Sequence, residues 1–346
     1  MARQTNIEWC DATFNPWIGC TKVSPGCDHC YAERSTPARV LSVEWGPHAE
    51  RRRTSAANWS QPLQWERQHD QFFATHGRRR RVFCASLADV FDNQVPASWR
   101  AHLFALIEQT PHLDWLLLTK RIGNVMPMLS EVAHSLFWMD RLEAPGLPEN
   151  VWLGATVVNQ EEADRDIPKL LALPVAKRFL SMEPLLGDVR LGSWLQRSPS
   201  AAVEAGRVAA DMPAWTRIGS TSIDWVIVGG ESGPHARPMH PDWARSLRDQ
   251  CAAAGVPFLF KQWGSWRAAA WFDGPDADRD EGDAFVDLDR VDHVFLAADG
   301  RTWETNGGRH MYPPLPLGHW CLMVNEGKKA AGRVLDGSEH LEWPAP

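Results

Sequence analysis

The sequence predicts an α/β fold: a partial (β/α)6-type barrel of parallel strands, with surface insertions and an irregular C-terminal region. Apolar runs too short for helices, and without polar alternation, recur along the chain as strands buried on both faces require. Segments with apolar residues at helical spacing separate them, and this alternation implies a parallel sheet with right-handed crossovers. Each run also ends in polar residues, and in parallel barrels the C-terminal strand ends share one mouth.

Residues 13–19 (TFNPWIG) read as the first strand, running into a cysteine loop. Residues 27–41 have helical character, with Pro37 as a break. Residues 44–81 are charged and irregular, carry basic runs at 51–53 and 78–81, and form the first insertion. RVFCAS (81–86), β-branched and aromatic, is the second strand. Pro96 suits the first turn of a helix over 96–110, where Trp99, Leu103, Leu106 and Ile107 fall at helical spacing. DWLLLT (114–119) and VWLGATV (151–157) are the third and fourth strands. A helix over 160–173 opens with acidic residues that suit its N-terminal dipole. AKRFLSM (176–182), DWVIVGG (224–230) and VPFLFK (256–261) complete the strands. An insertion rich in Ala, Ser, Pro and Gly covers 192–222, and a helix over 241–254 is stopped by Gly255. The barrel then occupies residues 1–266, and 267–346 form an extension packing on it. In that extension 273–292 is an acidic loop, 328–337 (KKAAGRVLDG) a short helix stopped by Gly337, and HLEWPAP a tail lying on the body.

Composition narrows the class. A chain of 346 residues, 44% hydrophobic and 23% charged, can bury a sizeable core and is ordinary for a globular protein. No apolar run approaches the roughly 18 residues of a membrane span. The N-terminus, MARQTNIEWC, lacks the apolar core of a signal peptide, so a cytoplasmic protein without membrane association is expected. Seven cysteines, odd in number and without framework spacing, suit reduced thiols better than disulfides. A net charge of −7 argues against bulk electrostatic capture of nucleic acid but leaves room for a local basic face.

Three of those cysteines, Cys20, Cys27 and Cys30, are spaced C-x6-C-x2-C. Pro25 and Gly26 turn the loop back just before Cys27, and Cys27 and Cys30 are spaced as neighbours on one helical turn. Thiolates gathered this way bind zinc or iron–sulfur clusters, and closed sites use four protein ligands. With no obvious fourth ligand, one metal position is left open, which is where metal chemistry happens. Cys84 lies inside the second strand and reads as a core thiol, while Cys10 is near enough in sequence to serve as a fourth ligand or redox partner.

The strand ends form a consistent set: Ser86 and Asp89; Thr119, Lys120 and Arg121; Asn159; Ser181 and Glu183; Gly229, Gly230 and Glu231; Lys261 and Gln262. Together with the cysteine loop they would face one mouth. Lys120, Arg121, Arg237 and Lys261 make that mouth cationic and suited to an anionic substrate.

A cysteine loop followed by a β/α partial barrel resembles the radical S-adenosylmethionine (radical SAM) superfamily. More narrowly, IEWCDATFNPWIGCTKVSPGCDHCYAE, VIVGGESG, KQWG and KKAAGRVLDG together resemble the phage-associated three-Cys-motif (phage Gp37/Gp68) family over most of the chain. The resemblance implies a [4Fe-4S] cluster held by Cys20, Cys27 and Cys30, with S-adenosylmethionine chelating the open iron. The loop departs from the superfamily's usual spacing, since six residues rather than three separate Cys20 from Cys27. The superfamily's Gly-Gly-Glu after strand two is replaced by CASLAD (84–89), similar to the Ser-and-Asp version in spore photoproduct lyase. Ser86 and Asp89 are therefore the residues implied for the methionine amino group. His29 stands where the superfamily often places an aromatic residue near the adenine. Asn159 and Glu183 are implied for the ribose hydroxyls or the methionine carboxylate region. Gly229-Gly230-Glu231 comes too late in the chain for the amino group, which assigns Glu231 to the substrate side. Glu231, Lys120 and Arg121 are then the catalytic candidates, and Arg237, Lys261 and Gln262 the substrate-binding ones. The resemblance further implies an electron donor of flavodoxin or ferredoxin type and a partner protein encoded nearby.

Two readings follow. In the first, the chain cleaves S-adenosylmethionine reductively and abstracts hydrogen from an anionic substrate, such as a nucleotide or nucleic-acid base. In the second, it is a zinc-stabilised nucleic-acid-binding protein. Its ligands would be Cys20, Cys27 and Cys30 with His29, His48 or Cys10, and Arg51–Arg53 and Arg78–Arg81 would contact phosphates.

Overall fold

Seven parallel strands pair edge to edge in the order in which the chain makes them. The computed structural model describes residues 5, 7–135, 147–196, 222–272, 292–303 and 320–345. Strands β1 (Ala12–Thr13), β2 (Arg80–Cys84), β3 (Leu113–Thr119), β4 (Val151–Thr156), β5 (Lys177–Met182), β6 (Trp225–Gly229) and β7 (Phe258–Gln262) form one sheet. Every neighbouring pair is parallel, so the sheet curls into the expected half-barrel, with β1 and β7 as its edges. Helix α1 (Ala97–Glu108) crosses from β2 to β3, α2 (Val125–Ser135) follows β3, α3 (Gln160–Leu171) links β4 to β5, and α4 (Pro241–Ala254) links β6 to β7.

The strands are apolar throughout because both faces are covered. Side chains two apart in a strand face the same way. One set, including Val82, Leu117, Leu153, Val226 and Phe258, joins the helices in the main core. The other set, Phe83, Leu116, Trp152, Phe179, Trp225 and Leu259, meets Trp9 inside the curl. Burying each of these side chains contributes roughly 1.5–3 kcal/mol. Gly154 lies beneath the Phe179 ring, which would overlap any Cβ placed there. The inner set fills the N-terminal half of the curl, and polar side chains line its C-terminal end.

Helix boundaries follow their caps. Asn159 Oδ1 accepts from the Glu162 N–H (2.9 Å) at the start of α3. Gly255, at φ 66°, ends α4 as its sequence implies.

Elsewhere the chain departs from its sequence reading. Residues 13–19 are two short strands rather than one: Ala12–Thr13 pairs with β2, whereas Trp17–Ile18 pairs antiparallel with Arg52–Arg53. Residues 27–41 are not one helix. A 3-10 turn at Pro25–Cys27 is followed by turns and a helix at Thr36–Val40, and Pro37 sits in the first turn of that helix, so it begins a helix rather than breaking one. Residues 44–81 hold helices at Ala56–Trp59, Gln61–Arg67 and His69–His76. Trp59, Leu63 and Trp65 anchor this segment to the core, and so few apolar residues leave almost no periodic signal. The helix read at 328–337 covers only Lys328–Ala331, because Gly332, at φ 71°, ends it before Gly337. Most of the 192–222 insertion and of the acidic stretch 273–292 lies outside the described residues.

Past the barrel, β8 (Trp266–Phe272), β9 (His293–Ala297), β10 (Thr302–Trp303) and β11 (Trp320–Asn325) form an antiparallel sheet in the order β8-β11-β9-β10. The final residues lie along the free edge of β7. Leu341 bridges Leu259, Phe260 N–H donates to the His340 carbonyl (2.9 Å), and the Trp343 ring packs 5.0 Å from that of Trp225. Among the described residues no helix is long and apolar enough to cross a membrane.

Candidate active site

The cysteine loop leaves the top of β1 and is fastened over the C-terminal mouth of the half-barrel. Gly19 N–H donates to the Leu87 carbonyl (3.1 Å), and Gly19 holds φ 110°, a left-handed conformation that favours glycine. Ser24 Oγ accepts from Gly26 N–H (3.0 Å), Cys27 N–H donates to the Ser24 carbonyl (2.8 Å), and Cys30 N–H donates to the Cys27 carbonyl (3.3 Å). Cys27 and Cys30 thus sit one turn apart, with Gly26 pressed against Val158 where a Cβ would have only 2.8 Å. All seven cysteines are unbridged thiols.

Two arginines pin Cys20 and Thr21. Arg51, its side chain wholly buried, donates from Nε to Asp92 Oδ2 (2.7 Å), from one amine to the Gly46 and Ala49 carbonyls (3.1 and 2.7 Å), and from the other to Thr21 Oγ1 (2.7 Å). Arg121 donates to Asp89 Oδ2 (2.9 Å), to the Thr21 carbonyl (2.6 Å) and to Cys20 Sγ (3.5 Å). Burial, with Asp89 second, pushes the Cys20 thiol up to about 12, while Arg121 pulls in the opposite direction. Burial works against the Arg121 charge, but Asp89 and Cys20 outweigh it and keep the guanidinium protonated.

The loop and the strand ends together enclose a cleft of about 1180 Å³, counting its open mouth. Cys20, Cys27, Cys30, His29, Ser86, Asp89, Lys120, Arg121, Glu183, Glu231 and Lys261 all line it. Two carboxylates dominate its far wall. Glu183 accepts from Lys261 Nζ (2.8 Å to each oxygen) and from Gln262 Nε2 (3.0 Å). Glu231 accepts from the Arg237 backbone N–H (2.8 Å) and guanidinium (2.7 and 2.9 Å), and its Oε2 lies 3.1 Å from His29 Nδ1. Burial alone would raise the Glu231 carboxyl, but Arg237 and His29 hold it below the usual carboxylate range. Arg237 also reaches Asp28 Oδ2 and the Pro25 carbonyl, which ties this wall to the cysteine loop. Gly230 and Gly264 make the close approach possible: Cβ atoms there would overlap the Trp263 and Glu231 backbones.

The geometry reassigns several residues. Asn159 does not line the cleft, because β4 ends at Thr156 and Asn159 caps α3. Asp89 faces the cleft, but its oxygens already accept from Thr119 Oγ1, Phe91 N–H, Lys120 N–H and Arg121 (2.9–3.1 Å), so no lone pair is left for an amino group. Arg121 lines the cleft and also donates to Asp89, the Thr21 carbonyl and Cys20 Sγ, which gives it a positioning role in the loop. Arg237 and Gln262 stand behind Glu231 and Glu183 and orient them. Ser86 Oγ accepts from Asn15 Nδ2 (3.0 Å). Cys84 is fully buried, and burial of Cys10 pushes its thiol up to about 12, away from the cleft lining.

Most of the arginines proposed for phosphate contact serve the fold. Arg51 is the buried partner of Asp92, Arg78 grips Asp11 with two bonds (2.6 and 2.9 Å), Arg80 lies over Phe72 (4.3 Å), and Arg81 over Trp343 (4.1 Å). Nor do Cys20, Cys27 and Cys30, with or without His29, His48 or Cys10, bring three ligand atoms within the 4.8 Å of one another that one ion needs, among the described residues. Asp92 and Asn15, which set the loop, carry no local signal, and Arg51 reads as a phosphate contact, because their partners lie 30 to 72 residues away.

The chain belongs to the family described as a protein of unknown function (DUF5131), whose model matches residues 4–344. A comparison with curated proteins found no match.

Proposed function

We propose that this DUF5131 member is a radical S-adenosylmethionine enzyme acting on an anionic substrate, with a nucleotide or nucleic-acid base as the favoured class. One observation carries the reading: three loop thiols open onto the same cleft as the polar ends of the half-barrel strands. Three thiolates with no fourth protein ligand suit a cluster with one iron left for a substrate or cosubstrate. Cys20, Cys27 and Cys30 would hold it, and when bound it would supply the electron for reductive cleavage of S-adenosylmethionine.

The remaining work falls to the chain's own groups. Arg121 holds the Cys20 arm of the loop in place and directs an N–H at its sulfur. Arg237 and His29 keep Glu231 ionised, facing the cleft, where it can accept from a ligand amine or hydroxyl. Lys261, donating to both oxygens of Glu183 (2.8 Å), holds that carboxylate at the cleft wall. Lys120 reaches Thr156 Oγ1 (3.4 Å) and has no carboxylate partner among the described residues, so its ammonium is the group free to take a ligand's carboxylate or phosphate. The Trp9, Phe83 and Phe179 rings floor the curl and exclude water from below. The same reading carries a cytoplasmic location, an electron donor of flavodoxin or ferredoxin type and a partner protein encoded nearby. The zinc-module reading lacks a single-ion thiol site among the described residues, and most of the arginines it needs are engaged in the fold.

Anaerobic reconstitution tests the proposal. The parent protein should take up iron and sulfide and, once reduced by dithionite, form 5′-deoxyadenosine from S-adenosylmethionine. Cys20→Ala, Cys27→Ala and Cys30→Ala should each abolish iron uptake, whereas Cys10→Ala and Cys84→Ala should not. Full iron content in Cys27→Ala would sink the ligand assignment. A loaded protein that forms no 5′-deoxyadenosine would sink the radical chemistry alone.

A further inference from the structure

At the end of the barrel away from the cleft, three side chains from three elements converge. Glu66 lies in the helix Gln61–Arg67, His69 opens the helix His69–His76, and His112 directly precedes β3. One ligand atom from each falls within 4.8 Å of the other two, the one such His, Cys, Asp or Glu grouping among the described residues. Glu66 Oε1 lies 2.5 Å from His112 Nδ1, and Glu66 Oε2 accepts from the His112 backbone N–H (3.2 Å). His69 Nδ1 lies 2.8 Å from the Glu66 carbonyl oxygen. A carbonyl only accepts, so Nδ1 carries the proton and the lone pair of the neutral ring falls on Nε2. Metal-bound histidines are usually oriented in this way, by a backbone carbonyl on the other nitrogen. His69 Nε2 in turn sits 3.2 Å from Asp70 Oδ1. The two imidazoles stack 3.9 Å apart and 12° from parallel.

We propose that Glu66, His69 and His112 form a divalent transition-metal site of the zinc class, which staples the helical insertion to the barrel. Two imidazoles and one carboxylate suit zinc and its neighbours rather than magnesium or calcium, which take oxygen ligands. The side chains of Glu66, His69 and His112 are 17%, 31% and 48% exposed, so an ion can enter from solvent and keep a water, or Asp70, as its fourth ligand. The proposal stands apart from the radical reading, because it uses no cysteine and no cleft residue.

The test removes the competing thiols. The full chain with Cys20→Ser, Cys27→Ser and Cys30→Ser should be titrated with Zn²⁺ by calorimetry and melted with and without the ion. One Zn²⁺ per chain and a raised melting temperature are expected. Adding His112→Gln, which keeps a side chain able to bond Glu66, should weaken binding about ten-fold or more and remove the melting shift. His69→Ala should do the same. Co²⁺ bound to the triple-serine chain should give a visible spectrum without the near-ultraviolet thiolate band. No binding by the triple-serine chain, or equal affinity in the folded His112→Gln and His69→Ala variants, would overturn the site.

Discussion

Replacing Arg51 by Met tests what holds the cysteine loop in place. The side chain is 0% exposed and its partner Asp92 is 2% exposed, with 2.7 Å between Nε and Oδ2. Met keeps most of the volume but strands a buried carboxylate, a change that costs about 3–5 kcal/mol when one partner of a buried pair is lost. The carbonyls of Gly46 and Ala49 and the hydroxyl of Thr21 lose their donors as well, but they lie at the loop surface, where water can replace the guanidinium. The expected loss is therefore about 4 kcal/mol, a large share of the 5–15 kcal/mol that typically holds a domain together. Urea unfolding followed by tryptophan fluorescence would report it as a shift in midpoint at constant slope. The double variant Arg51→Met/Asp92→Asn should be more stable than the sum of the single changes, since it removes the stranded charge. A loss below about 1 kcal/mol, typical of an exposed pair, would refute the assignment of Arg51 as the buried anchor of the loop.

Two further outcomes follow from the same geometry. Among Gly230→Ala, Gly264→Ala and Gly233→Ala, the second should lower the melting temperature most, because it combines φ 84° with overlap on the Glu231 backbone. Gly233→Ala meets open space at φ 105° and carries backbone strain alone, about 1–3 kcal/mol; a larger loss there than at Gly264 would contradict the close approach. Asp11 supplies a pH signature. Burial alone would raise its carboxyl, but Arg78 and the Arg81 backbone N–H outweigh burial and hold it below the usual range. A depressed folded value contributes stability that is complete above the unfolded value, about 3.9, and is lost as pH falls through the folded one. The difference in urea midpoint between parent and Asp11→Asn should be full near pH 6 and shrink below about pH 4. A difference that does not change with pH would exclude the ion pair.

The strands were legible because each is a short apolar run covered on both faces, a pattern that DWLLLT and DWVIVGG state without long-range information. The half-barrel followed from their rhythm, and the cleft-lining Lys120, Glu183, Glu231 and Lys261 from their places at the strand ends. Partnership was not legible. Nothing local distinguishes Arg51, buried against Asp92, from Arg52, which lies exposed beside it. Asn159 misled for a related reason: a polar residue just past a strand is also where the next helix needs its cap, and only the gap between Thr156 and Gln160 separates the two roles. Asp89 reads as a free acid until Thr119, Lys120 and Arg121, some 30 residues later, are seen to use it up. Helices such as Ala56–Trp59 and Gln61–Arg67 are too short for their few apolar anchors to show a period.

The aromatic floor has a consequence for the order of assembly. The Trp9 ring lies 4.3 Å from Phe83, tilted, and 6.4 Å from Trp225, edge-on, and Trp343 closes on the same Trp225 from the opposite end of the chain. At about 5–20 residues per second, Trp9 leaves the ribosome on the order of tens of seconds before Trp343 does. For that interval β6 and β7 either do not yet exist or lack the residues that seal their edge, and the ring cluster waits half built. Such distant pairings close slowly, and until they do the nascent half-barrel presents an apolar interior that a chaperone would recognise.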